Sequence, residues 1–384
     1  MADYQLSPTE LGQTQPLVPP LYQSSVYTLS DLDALDRVMN AEEPGFIYAR
    51  DAHPNARHLA RALAVLEGGD WAMVCGSGMA ALSAVCLSAL AQGGRVVASN
   101  RLYGRSTQLL QQELGRFGVR TTFVDTNDLQ EVARALEVPA VLLLVETISN
   151  PLLRVADLDE LARLAHGRGC RLVVDNTFAT PVLVRPLDHG ADLVMESLTK
   201  MIGGHGDVTL GTVAGRGELP PEMSGVVSIW GLASNPFDCW LTERGLATLS
   251  LRMRAASANA AALATWLGAQ PGVTRVVYPG RADHPDRELA GRLLHGFGNM
   301  LCFELAGGRG AVNAFLHRAP GIPFSPSLGS TATTCSHPAT TSHRYVSPAE
   351  RQRQGITDGL VRLSVGIEEL ADIQKEMAQG LAPE

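Results

Sequence analysis

Between residues 71 and 214 seven short apolar runs alternate with segments of helical spacing, and no other feature constrains the fold as much. The runs cover 71–75, 95–99, 120–124, 141–146, 171–174, 193–195 and 209–214, with helical spacing over 79–91, 106–117, 128–136 and 157–168. Strands alternating with helices imply a mostly parallel sheet with both faces covered. An extended arm rich in Pro and Gln precedes this region and carries a short helical stretch near 32–39. After about residue 214 the strand signal fades, and 236–267 reads as a long helical stretch. Strand-like runs return near 273–277, 300–305 and 360–365 as a second, smaller α/β unit. The expected organisation is an arm over 1–57, a large domain over 58–245 and a small C-terminal α/β domain over 246–384.

The net charge of −8 argues against nucleic acid or an anionic membrane as partner, because both require basic patches. No apolar run is long enough to span a bilayer, and the first twenty residues lack the pattern of a signal peptide, so the expected location is cytoplasmic. The six cysteines form no CxxC pair and read as free buried thiols. His205 has no second ligand at suitable spacing, so no metal is expected.

Ligands of open α/β sheets bind beyond the carboxyl ends of the strands. Here those ends carry Gly76-Ser77-Gly78-Met79, then Thr147 to Pro151 with Asn150, then Asp175-Asn176-Thr177, then Glu196-Ser197-Leu198-Thr199-Lys200. The Gly78-Met79 turn opens a helix, where free N–H groups suit a dianion such as phosphate. The turn also fits G-x-G-x-x-A, and Arg101 after the next strand leaves an NADP-binding oxidoreductase as an alternative. Lys200 is the sharper signal. The chain has two lysines, Lys200 and Lys375, and the second lies in a polar C-terminal helix. A lysine kept at a strand end, beside the hydroxyls of Ser197 and Thr199, suits an imine with a phosphorylated aldehyde cofactor. Asp175 in turn suits a protonated pyridine nitrogen.

Ordered motifs along nearly the whole chain now converge. They include Tyr48-Ala49-Arg50, Leu66-Glu67-Gly68, Ser77-Gly78-Met79-Ala80-Ala81, Tyr103-Gly104 and Ser149-Asn150-Pro151. Further on stand Asp175-Asn176-Thr177-Phe178-Ala179-Thr180-Pro181, Ser197-Leu198-Thr199-Lys200, Gly203-Gly204-His205-Gly206-Asp207, Ser327-Leu328-Gly329 and Arg362-Leu363-Ser364-Val365-Gly366-Ile367-Glu368. In these the chain resembles the trans-sulfuration, or Cys/Met metabolism, family of pyridoxal 5'-phosphate (PLP) enzymes. The family includes cystathionine γ-synthase, cystathionine γ-lyase, methionine γ-lyase and O-acetylhomoserine sulfhydrylase.

The resemblance implies the fold type I (aspartate aminotransferase-like) architecture and a homotetramer built from two dimers that share active sites. It implies Lys200 as the Schiff-base lysine, Asp175 at the pyridine nitrogen and Tyr103 stacked on the ring. Gly78, Met79, Ser197 and Thr199 would hold the phosphate, with Tyr48 and Arg50 reaching the phosphate of the neighbouring subunit. Asn150, Ser327 and Arg362 would hold the PLP hydroxyl and the substrate carboxylate. The implied chemistry is γ-elimination or γ-replacement on a sulfur amino acid, with cystathionine γ-lyase or γ-synthase activity leading. Methionine γ-lyase or acylhomoserine sulfhydrylase is the near alternative. The family's usual Ser-Ala-Thr-Lys followed by an aromatic is here Ser197-Leu198-Thr199-Lys200-Met201, and two further positions depart from its pattern. Ala332 stands where many cystathionine enzymes carry a glutamate, and Arg105 where methionine γ-lyases carry a cysteine. Arg105 is expected to favour an anionic distal group on the substrate.

Overall fold

A computed structural model describes residue 14, residues 16–344 and residues 346–382. The first thirteen residues and Gln15 of the expected arm lie outside the described residues. Two sheets organise the chain. The larger comprises β1 (Trp71–Cys75), β2 (Arg95–Ser99), β3 (Arg120–Val124), β4 (Leu142–Glu146), β5 (Arg171–Asp175), β6 (Leu193–Ser197) and β7 (Gly211–Gly215). Its order is β1-β7-β6-β5-β4-β2-β3. Strands β2 through β6 pair in parallel, while β7 is antiparallel to both β6 and β1. The smaller sheet comprises β8 (Val273–Val277), β9 (Met300–Leu305), β10 (Thr334–Ser336) and β11 (Leu360–Ser364). Its order is β10-β11-β9-β8, and all its pairs are antiparallel.

Inner strands read as continuous apolar runs because each face has its own core. In β4, Leu143 and Val145 join one buried cluster with Leu59, Leu63 and Leu172, whereas Leu142 and Leu144 join another with Val85, Val96 and Val173. A side chain of this size contributes about 1.5–3 kcal/mol when fully buried, so alternation of neighbours between two dry faces holds the register firmly. A third cluster, with Phe303 and Phe315, lies under the smaller sheet.

The long helical stretch expected over 236–267 is two helices, Pro236–Leu246 and Leu249–Leu267. The break is local. Thr248 turns out of helical geometry and its hydroxyl donates to the Gly245 carbonyl at 3.2 Å. The direction of β7 was not legible in advance. The 198–210 connection contains no helix, so the chain returns antiparallel on the same edge of the sheet. Lys200 therefore stays at the carboxyl end of β6.

Candidate active site

The β1 turn runs straight into the helix Gly78–Ala89. Ser77 caps it, accepting from the Ala80 N–H at 3.0 Å, which leaves the Gly78 and Met79 N–H groups as first-turn donors for an anion. The turn lies against β6 and β7 with no room to spare. A Cβ on Gly78 would sit 2.8 Å from the Ser197 Cβ, and one on Gly211 would sit 2.3 Å from the Ser77 carbonyl oxygen. Glycine at these points brings the helix N-terminus beside the Ser197 hydroxyl.

Asp175 ends β5, next to Met195 of β6. The Thr177 N–H donates to it at 3.0 Å, while the Thr177 hydroxyl oxygen accepts the Ser197 N–H at 2.9 Å. Burial raises the Asp175 pKa, and the Thr177 hydrogen bonds oppose that shift. Thr177 therefore links the expected ring partner to the expected phosphate cradle, a role that reading the sequence missed.

Lys200 follows β6, and its Nζ donates to the Ser327 Oγ at 3.1 Å. Burial lowers the amine's pKa, and the Arg362 charge lowers it further. Arg362 projects from β11, is itself buried, and donates to the Asn150 Oδ1 at 2.7 Å and the Ser327 carbonyl at 3.3 Å. Tyr103 stands at the start of the helix Gly104–Gln108, with its side chain well exposed. Its N–H donates to the Glu146 carboxylate at 2.5 Å, and the Asn150 N–H donates to the same carboxylate at 3.3 Å. Glu146, also missed, thus ties Tyr103 to Asn150. Its pKa is raised by burial and then by Asp175.

Not every expected residue joins this group within one chain. The Thr199 hydroxyl is held by Leu210, donating to its carbonyl and accepting from its N–H, both at 3.2 Å. Arg50 donates to the Ser228 carbonyl at 3.0 Å and lies 5.4 Å from the Tyr48 ring centroid. Tyr48 bridges to Val26. Both residues are exposed and engaged within their own chain, Arg50 on the helix Pro221–Ile229 and Tyr48 on Val26. Arg105 donates to Gln108 at 2.7 Å. His205 is bound to the Gly203 carbonyl at 2.7 Å. The six cysteines are free and buried.

A second carboxyl group gave no signal in the sequence. Glu67, ending the helix Pro54–Glu67, and Glu196 on β6 are both fully buried. None of their four oxygens has a well-formed hydrogen bond among the described residues; each carboxyl interacts with the other, and the Asn176 side chain bears on Glu196. Burial pushes Glu67 up to about 8. Glu196 is raised as well, by burial first and then by Glu67 and Asp175.

A dianion, a pyridine nitrogen and an aldehyde carbon are the three demands these groups can meet together, and PLP presents all three. The fold and the fit of the site thus define the class of PLP-dependent α/β enzymes. Within it the chain belongs to the family of Cys/Met metabolism PLP-dependent enzymes, which matches residues 5–382. It is 42% identical to an O-succinylhomoserine sulfhydrylase of Pseudomonas aeruginosa, over 89% of this chain and 85% of that protein. It is 40% identical to an L-methionine gamma-lyase of Fusobacterium nucleatum subsp. polymorphum, over 95% and 93%. A solved cystathionine gamma synthase of Xanthomonas oryzae pv. oryzae superposes with a TM-score of 0.90 at 37% identity, covering 95% of this chain and 92% of that one.

The NADP alternative fails on topology. A dinucleotide fingerprint needs β1 and the next strand of the chain to lie together, but here β7, β6, β5 and β4 separate β1 from β2. Arg101, offered for a 2′-phosphate, is paired with Asp125 at 2.7 Å.

Proposed function

We propose that this chain is a PLP-dependent trans-sulfuration enzyme catalysing γ-elimination or γ-replacement on sulfur amino acids, of the cystathionine γ-lyase or γ-synthase type. The junction of Lys200, Ser327, Arg362 and Asn150 carries this reading. It sets an amine 3.1 Å from Ser327 beside a buried guanidinium, and so suits an α-amino acid held by its carboxylate with its α-carbon near the amine. Bound PLP supplies an electron sink conjugated with that α-carbon. Gly78, Met79 and Ser197 would hold its phosphate, with Thr199 joining them if its hydroxyl turns from the Leu210 carbonyl, and Tyr48 and Arg50 of a neighbouring subunit would complete the cradle. Asp175 would face its ring nitrogen, Asn150 its hydroxyl and Tyr103 its ring face. Arg362 takes the substrate carboxylate. Lys200 would accept the α-proton through its neutral amine, a form favoured by its lowered pKa. Tyr103 assists proton transfer. Reaction at the γ-carbon would also need a base for a Cβ proton and an acid for the departing γ-substituent, roles for which Lys200 and Tyr103 are the groups at hand, and water or a thiol would decide between elimination and replacement.

Arg105 in the first turn after Tyr103 places a positive charge on this side of the site, which favours an anionic distal group such as succinyl. Ala332 offers no carboxylate to a distal ammonium, and this supports methionine γ-lyase or acylhomoserine sulfhydrylase activity as the second reading. Six free buried thiols suit the cytoplasm, the location proposed here.

Steady-state turnover of cystathionine, methionine, O-succinylhomoserine and O-acetylhomoserine, with and without a thiol, tests the proposal. α-Keto acid or a new thioether is expected from a γ-substituted substrate. Lys200→Ala is expected to lose both turnover and the visible absorption of bound PLP. Retention of turnover by that variant sinks the reading. Arg105→Ala is expected to lower kcat/KM for the succinyl ester more than for the acetyl ester; equal effects remove the role given to Arg105.

A further inference from the structure

The turn that carries Lys200 is gripped from behind by a buried cation that has no anion. Arg252 lies in the first turn of the helix Leu249–Leu267, is 7% exposed, and takes part in none of the ion pairs among the described residues. Its Nε donates to the Thr248 Oγ1 at 3.1 Å and its Nη1 to the Met201 carbonyl at 2.5 Å. Its Nη2 donates to the Ile202 carbonyl at 2.9 Å and the Gly245 carbonyl at 2.7 Å. A lone buried charge is costly and persists only where hydrogen bonds compensate for the lost water. Its four hydrogen bonds supply that compensation, and what they hold decides what else the arginine does.

The acceptors show what is held. Met201 and Ile202 directly follow Lys200, in a tight turn closed by the Gly203 N–H on the Leu198 carbonyl and the Gly204 N–H on the Lys200 carbonyl, both at 2.8 Å. The last carbonyls of such a turn have no partner within it. The guanidinium fork takes two of them and fastens both to Gly245 at the end of the preceding helix.

Glycines let the fork and the neighbouring backbones come this close. Gly204 is left-handed at φ +74°, and a Cβ there would sit 2.0 Å from the Arg252 Nη1. A Cβ on Gly245 would sit 2.3 Å from the Gly203 carbonyl oxygen. The opposite side of the turn is equally close. A Cβ on Gly329 would sit 2.6 Å from the Met201 N, and the Thr331 N–H donates to the Gly204 carbonyl at 2.9 Å. That second grip belongs to the loop carrying Ser327, the residue that receives the Lys200 amine.

We infer that Arg252 is a positioning residue for Lys200: by joining the Met201, Ile202 and Gly245 carbonyls it sets where the lysine stem leaves the backbone and so where its amine stands. It touches neither the amine nor the substrate site. The inference rests on Lys200 being the lysine that the reaction uses.

The test compares wild type with Arg252→Met, an apolar replacement of similar reach, and with Arg252→Ala supplied with free guanidinium. Amide hydrogen exchange of residues 198–204 is measured on the apo-protein, and kcat, KM and the visible spectrum on the PLP-loaded protein. Arg252→Met is expected to exchange faster in this segment alone. Its kcat should fall roughly 10- to 100-fold, as displacing a reacting group by about 1 Å does, with KM little changed. Guanidinium is expected to restore part of the activity of Arg252→Ala. Wild-type kcat in Arg252→Met overturns the inference, whether or not exchange changes; the proposed function fails separately, through activity retained by Lys200→Ala. If Arg252→Met does not fold, Arg252→Lys decides, since an ammonium cannot span three carbonyls. Intermediate kcat with faster exchange at 198–204 supports the inference, and wild-type kcat overturns it.

Discussion

A carboxylate buried without a donor keeps its proton, and Glu67 with Glu196 is such a case in duplicate. Two charges cannot share a dry site at this range, so the pair holds a proton between them. The groups facing it are Arg185, which lowers Glu67, and Asp175 and Asn176 on the neighbouring strand end, which respectively raise and lower Glu196. The sign for stability follows from Glu67 standing near 8 when folded against an ordinary 4.5. A raised folded value stabilises the protein fully below the unfolded value, and the contribution is lost as pH rises through the folded one. The wild-type stability in urea is therefore expected to fall between about pH 4.5 and 8 and to level off above, with a slope of at most about 1.4 kcal/mol per pH unit for one proton. Glu67→Gln, an uncharged amide of the same shape, is expected to flatten that fall. Equal slopes in the two proteins exclude a shared proton.

The useful element is the turn from β1 into the helix Gly78–Ala89, which owes its place to the strand order. Because β7 lies between β1 and β6 and runs against both, the carboxyl ends of β1 and β6 share one edge. Gly78 there faces Ser197 across a gap too small for a Cβ. Gly78→Val is expected to fold, since the ladder between β1 and β7 is untouched. Overpacking costs about 1–3 kcal/mol, so PLP affinity should weaken roughly 5- to 150-fold, as read by PLP titration of the apo-protein. Unchanged affinity removes this turn from the phosphate site.

At the scale of the whole molecule, the site spans both sheets. Arg362 of β11 meets Asn150 beyond β4, and Arg154 grips Asp286 through two hydrogen bonds of 2.6 and 2.8 Å. The proposed boundary near residue 245 therefore separates two units that meet through polar contacts as well as packing. The proposal that Tyr48 and Arg50 serve a neighbouring subunit extends the same logic beyond one chain. If they serve a neighbouring subunit, Arg50→Ala and Lys200→Ala chains fail separately but complement each other. Random pairing leaves one intact site in each mixed dimer, so co-refolding an equimolar mixture is expected to restore about a quarter of wild-type activity. No gain on mixing shows that each chain serves itself. Among the described residues no helix is long and apolar enough to cross a membrane.

Local chemistry determined much of this protein. Apolar runs bounded by turn residues placed ten strands to within a residue or two, because burial leaves little freedom in where a strand begins or ends, whereas β10, a three-residue strand in a Ser/Thr-rich stretch, offered no such run. The lysine at a strand end and the glycines before a helix marked the site, because those residue types answer chemical needs that their neighbours cannot. Tertiary structure alone decided what depends on pairs far apart in the chain. These include the antiparallel β7 that aligns the β1 and β6 ends, the meeting of Glu67 with Glu196, the Glu146 tie between Tyr103 and Asn150, and the reach of Arg252 to the lysine turn. In each the residue type is common and its effect comes from its partner. A sequence does not state a partner until the chain has folded and excluded water from between the two.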